Sequence, residues 1–239
     1  MSRRKYILNQ VFVGYPWRRI RPMFEKRIEL LHRYYPIHFR AVGRGHAQTS
    51  TDLFEEIKRQ IERSSGAIFD VTGGNANVAL EFGYAEALAL DVVLTVNVRR
   101  SPGGRRRRDE PSSAIISDLR GKRMNLYRSQ RVLDTILLRY TQAHPYVRRF
   151  ESVCKAHLSP HGKRVLLYII RMFDDREVIR RDEVVERLIS QFPTAKKKVE
   201  GSKKRGYKWV DRLPELLRNN KLISITRGRY SQVSIESPA

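Results

Sequence analysis

The stretch Ser65-Gly66-Ala67-Ile68-Phe69-Asp70-Val71-Thr72-Gly73-Gly74-Asn75-Ala76-Asn77-Val78-Ala79-Leu80-Glu81-Phe82-Gly83-Tyr84-Ala85 sets two carboxylates, Asp70 and Glu81, on either side of a Gly/Asn turn. The apolar run before Asp70 reads as a buried strand ending in the aspartate. The residues after Asn75 read as a helix with Glu81 in its second turn. In an open α/β sheet, ligands bind outside the carboxyl ends of the strands, where Asp70 and the turn stand. The helix N-terminus at Asn75 to Asn77 offers backbone N–H groups to a phosphate. Val78, Phe82, Ala85 and Ala89 share the face that packs on the sheet, and Asn77, Glu81, Tyr84 and Leu88 form the adjacent stripe. Gly83 and Ala85 are small, which permits close helix–sheet approach. Glu81 therefore stands at the edge of the buried face. A carboxylate there is a candidate catalytic group, and a salt-bridged structural glutamate fits the same spacing.

Other residues fall on the same side of the sheet. Gly14, Tyr15, Trp17 and Arg18 follow the first strand. Tyr15 or Trp17 can stack on a base or pack on the first helix. Arg18 or Arg19 can meet a diphosphate or face solvent. Gly43, Arg44 and His46 follow the second strand, and His46 is a general acid or an incidental loop histidine. The six histidines show no metal-ligand spacing, so no metal and no cofactor are expected. No P-loop and no Ser-His-Asp arrangement can be read.

The elements that must position these groups alternate. Strands are expected at Ile7–Val13, Ile37–Val42, Ala67–Val71, Val92–Val98 and Met124–Tyr127. Helices are expected at Arg18–Tyr34, from Ser50 or Thr51 through Ile61, and at Val78–Leu90. Strands joined by helices of this length imply an α/β fold, an open parallel sheet covered by helices on both faces. Arg99–Ser113, with Arg105-Arg106-Arg107-Arg108, is a loop by composition, either solvated or a phosphate-contacting arm. Ser129–Leu158 is helical with a break near His144-Pro145.

From Ser159 the pattern changes. Helices run through Val165 to Phe173, through Val184 to Phe192, and around Leu213, Leu216 and Leu217, where Pro214 fits only a first turn or a kink. Leu222–Thr226 and Tyr230–Ile235 form a hairpin around Arg227-Gly228-Arg229. Three helices and a hairpin describe a small winged helix-turn-helix. The chain thus divides into 1–142, a helical linker 143–158, and 159–239.

Charge points to a polyanionic partner. The 239 residues include 48 Lys+Arg against 25 Asp+Glu, a net charge of +23, and both parts of the chain share the excess. Lys196-Lys197-Lys198 and Lys203-Lys204-Arg205 lie near Tyr207 and Trp209, a combination suited to phosphate neutralisation and stacking. Arg227 and Arg229 at the hairpin tip suit a groove or phosphate contact, although winged helices also dock proteins. No apolar run approaches the length of a membrane span. The lone Cys154 excludes an internal disulfide, and a cytoplasmic location is the expectation.

Phe12-Val13-Gly14-Tyr15-Pro16, the Asp70…Asn75-Ala76-Asn77-Val78…Glu81-Phe82-Gly83-Tyr84-Ala85 block, and Ser117-Asp118-Leu119-Arg120-Gly121 before Met124-Asn125-Leu126-Tyr127 resemble the TIR-like and nucleoside 2-deoxyribosyltransferase-like superfamily. The resemblance covers roughly the first 140 residues, with the middle block the most specific. It implies a flavodoxin-like/TIR-like sheet, Glu81 as the catalytic carboxylate at the anomeric carbon of a ribose, and Asp70 lining the pocket. Joined to a winged helix, such a domain resembles the effector subunits of retron anti-phage systems. That resemblance implies a reverse transcriptase and its msDNA as partners, and an N-glycosidase toxin with NAD as substrate. A homo-oligomer or higher assembly is compatible with it. Two alternatives stay open: a nucleoside or deoxynucleotide N-ribosyl hydrolase or transferase, and a nucleotide-sensing DNA-binding regulator.

Overall fold

A computed structural model describes residues 5–16, 20–42, 50–98, 123–173, 178–192, 215–226 and 229–236. The chain forms two units, one of residues 1–33, 37–144 and 236–239, the other of 34–36 and 145–235.

The first unit alternates strand and helix: β1 (Lys5–Gly14), α1 (Arg21–Tyr34), β2 (His38–Arg40), α2 (Ser50–Glu62), β3 (Ser64–Asp70), α3 (Ala76–Ala87), β4 (Asp91–Asn97), β5 (Met124–Tyr127) and α4 (Gln130–Ala143). The five strands are parallel and lie in the order β2-β1-β3-β4-β5. This order reverses direction between β1 and β3, a switch point at which doubly wound sheets open a crevice beyond the strand ends. Gly14 pairs with Phe69 there, at the carboxyl ends of both strands. β1 and β3 are buried almost without alternation, as sheets covered on both faces require.

Under α2 and α3 the core joins Phe12, Ile61, Ala67, Phe69 and Val71 to Val78, Phe82 and Ala85, with Leu94 and Val96 completing it. Phe69 meets Phe12 at 5.7 Å and Phe82 edge-on at 5.9 Å. Leu133, Leu137 and Thr141 are the buried residues of α4, and Phe24 and Leu31 those of α1. The expected α/β class and parallel sheet are borne out. β2 is shorter than the sequence suggested, and β1 and β3 are longer.

The helical stretch after Ser129 breaks at His144, whose ψ of 130° is extended. Pro145 disfavours a helical conformation in the residue before it. The expected linker helix is α5 (Pro145–His157), which groups with the second unit and buries Tyr146, Val147, Phe150, Val153 and Cys154. That unit continues with α6 (Pro160–Arg171), β6 (Val178–Arg180), α7 (Arg181–Gln191), a helical turn at 215–219, β7 (Ile223–Thr226) and β8 (Arg229–Gln232), and the last strand, β9 (Ser234–Glu236), runs into the chain end that groups with the first unit. Ser159 caps α6 by accepting from the Gly162 amide, and Pro160 opens its first turn. β6, β8 and β7 form an antiparallel sheet in that order. The sequence reading did not foresee β6. No helix among the described residues is long and apolar enough to cross a membrane.

Candidate active site

At its carboxyl end β3 delivers Asp70 with 0% exposure. Its Oδ1 accepts from the Thr72 amide at 3.1 Å. Its Oδ2 accepts from the Thr95 hydroxyl at 2.9 Å and the Tyr127 hydroxyl at 2.8 Å. Burial pushes this carboxyl above its usual range, against the pull of those hydrogen bonds. The Thr72 hydroxyl in turn accepts from the Asn97 amide at 2.7 Å. The ends of β3, β4 and β5 and the turn after β3 are thereby locked together.

That turn passes through Gly73 and Gly74, at φ of +76° and +63°, the left-handed region that glycine enters at no steric cost. Asn75 then caps α3, its Oδ1 accepting from the amides of Asn77 at 3.0 Å and Val78 at 3.3 Å. The helix start is thus less open to a phosphate than the sequence implied, because two of its leading amides are already satisfied within the chain.

Glu81 follows on α3, partly buried beside the end of β1. A Cβ placed on Gly14 would lie 2.6 Å from Glu81 Oε2 and 2.6 Å from Phe69 Cδ1. Gly14 therefore leaves the space that the carboxylate and the ring edge occupy. Burial raises the Glu81 carboxyl to about 7. Among the described residues, no ion pair or hydrogen bond compensates the charge. A salt-bridged structural glutamate, the alternative offered by its spacing, is not what the described residues form. A carboxyl desolvated beside an apolar ring, and not paired, titrates near neutrality and exchanges protons readily.

Other expected site residues are dispersed. Tyr15 is 8% exposed and stacks on Phe24 at 5.2 Å, so its ring serves packing. The Tyr84 hydroxyl donates to Glu62, next to the start of β3 and at the other end of the sheet from Gly14. Gly83 is exposed, and a Cβ on it would meet nothing within 4 Å. It is Ala85, fully buried, that allows the close approach of α3 to the sheet. The structure thus brings together Gly14 and Glu81, sets Asp70 and Asn75 as supports of the segment between them, and leaves Tyr15 and Tyr84 outside. Sequence reading missed Phe69, Thr72, Thr95 and Tyr127. A polar Thr95 inside the apolar run Val92–Val98 was the one available signal. Trp17, Arg18, Arg19, Gly43, Arg44, His46, Arg105–Arg108, Ser117–Gly121, Lys196–Lys198, Lys203–Arg205, Pro214 and Arg227 lie outside the described residues. Arg229 is described, exposed at the start of β8. Among the described residues no group of His, Cys, Asp and Glu could hold a metal ion.

No protein-family model matches the chain, and no curated protein is detectably similar to it.

Proposed function

We propose that the first unit is an N-glycosidase of the TIR-like and nucleoside deoxyribosyltransferase-like kind that cleaves the nicotinamide–ribose bond of NAD. The observation that carries this reading is Glu81, a carboxyl with no ion-pair or hydrogen-bond partner among the described residues, held against Gly14 at the switch-point edge of a parallel sheet. Cleavage of an N-glycosidic bond passes through an oxocarbenium-like state, which a carboxylate beside the anomeric carbon stabilises or captures. The nicotinamide ring is cationic while attached. It keeps the bonding electron pair and departs neutral, while water adds to the anomeric carbon and gives up a proton. Asp70, enclosed by its three donors, acts in this account by fixing the turn that leads to α3.

A second reading has one observation in its favour. A carboxyl that titrates near 7 is largely protonated just below neutrality and can serve as a general acid. A purine or pyrimidine leaving from a nucleoside needs such a proton, whereas nicotinamide does not. The same site then removes or transfers bases of nucleosides or deoxynucleotides.

For the second unit we propose a winged helix that engages nucleic acid. Supporting it are the order helix, strand, helix, helical turn and hairpin, and the β6-β8-β7 sheet. The +23 charge supports a polyanionic partner. An effector held by a reverse transcriptase and its msDNA in anti-phage defence accounts for both units together. The test is to incubate the purified full chain with NAD and with a nucleoside panel, with and without co-purifying nucleic acid, and to separate the products by chromatography. Nicotinamide release with nucleosides intact supports the first reading. Base release from deoxynucleosides with NAD untouched replaces it with the second.

A further inference from the structure

Arg180 carries no role in any of the readings above, yet its place in the second unit is unusual. It ends β6 and is the direct cross-strand partner of Arg229 on β8. Residues opposed in an antiparallel pair project to the same face of the sheet. The neighbouring pair, Ile179 and Tyr230, is buried at 1% and 5%, so it occupies the inner face. Alternation puts Arg180 and Arg229 on the outer face, and both are exposed. Val178, Ser231 and Ser224 continue that face by the same register. Among the described residues it holds no carboxylate. Asp182 and Glu183, which follow Arg180, belong to the first turn of α7, and Glu183 is paired with Arg187 at 2.7 Å. Among the described residues neither Arg180 nor Arg229 has an ion-pair partner.

Like charges directly opposite each other on adjacent strands destabilise a sheet. Two arginines opposed on one face, with no ion-pair partner among the described residues, suit the oxygens of a phosphate. We propose that Arg180 and Arg229 together form a clamp for the phosphodiester backbone of nucleic acid on the outer face of the β6-β8-β7 sheet. The clamp rests on the nucleic-acid reading of the second unit, which already gave Arg229 a phosphate contact, and adds Arg180 and the outer sheet face to it. A backbone contact of this kind is indifferent to base sequence and positions the bound strand.

The experiment measures binding of a fluorescein-labelled oligonucleotide of mixed sequence, single-stranded and duplex, to the full chain by anisotropy over a salt series. It compares wild type with Arg180→Gln/Arg229→Gln and with a charge-matched control, Arg148→Gln/Arg149→Gln, on exposed positions of α5. Each lost phosphate contact lowers the log–log salt slope by about one. The clamp variant should lose about two from the slope and bind at least about tenfold more weakly at intermediate salt, while the control changes by much less. Its melting temperature should stay level or rise, because an opposed like-charge pair has been removed. Equal behaviour of clamp variant and control overturns the clamp while leaving the nucleic-acid reading intact. Absence of binding by the wild type overturns both. A protein partner captured by wild type with unchanged affinity in the clamp variant also counts against it.

Discussion

Oε2 of Glu81 and the missing side chain of Gly14 compete for one space: a Cβ at position 14 would stand 2.6 Å from that oxygen. The glutamate is the more yielding of the two neighbours, since Phe69 is fully buried among aromatic rings. Gly14→Ala should therefore displace the carboxylate toward solvent. Activity should fall at least about tenfold, as misplacement of a reacting group does. The Glu81 carboxyl should drop from about 7 toward its ordinary range, which carbon-detected NMR titration reads directly. Unchanged activity with an unchanged titration would show that the space is not shared.

Gly83 gives the opposite expectation. It sits inside α3, exposed, and a Cβ there meets nothing within 4 Å. Gly83→Ala should stabilise the chain by about 0.5–1 kcal/mol through helix propensity alone, with activity retained. Denaturant unfolding checks this. A loss of activity would mean that Gly83 lies against a substrate or partner.

The Asp70 network should behave as structure. Tyr127→Phe removes one of three donors to an enclosed carboxylate and should cost about 1–3 kcal/mol in urea unfolding. The substitution keeps the ring, which is buried. An unaltered stability would leave Asp70 free to meet a substrate.

His144 and Glu81 should give stability opposite slopes with pH. Burial holds His144 down to about 4, so the folded chain binds fewer protons than the unfolded chain between about 4 and 6.5, and stability falls with acid there. Glu81 is raised from 4.5 to about 7, so its folded form binds more protons, and stability falls as pH rises through that window. The Ser65 hydroxyl donates to the Gln10 carbonyl at 2.9 Å, which leaves its oxygen to accept from His144 Nε2 at 3.1 Å. Glu81→Gln should remove the loss at higher pH, and His144→Gln should remove the loss in acid. Stability profiles from pH 4 to 8 that keep the wild-type shape in either variant would contradict the corresponding assignment.

Much of the first unit was legible because its strands are apolar runs bounded by turn residues. β5 falls where the sequence put it, and Pro145 announced the break between α4 and α5. Ala85, Phe82 and Val78 face the core as their helical spacing required. The site was less legible because its contacts are distant in sequence. Asp70 looked like a ligand group until Tyr127, 57 residues away, and Thr95, 25 away, were found on its carboxylate. The meeting of Gly14 with Glu81 depends on β1 pairing with β3, which no local pattern encodes. Tyr84 shares the stripe of Glu81 but points its hydroxyl to Glu62, since one helical turn carries it toward the other end of the sheet. β6 has three residues, too few for alternation to register.

The central claim is that Glu81 performs chemistry at a ribose. The most direct measurement is nicotinamide release from NAD by wild type and Glu81→Gln, assayed by chromatography on the complete assembly with its nucleic acid. The substitution preserves shape and removes the ionisable group. The account predicts a loss of at least about a hundredfold with folding intact. Turnover near that of the wild type in the Gln variant would contradict it.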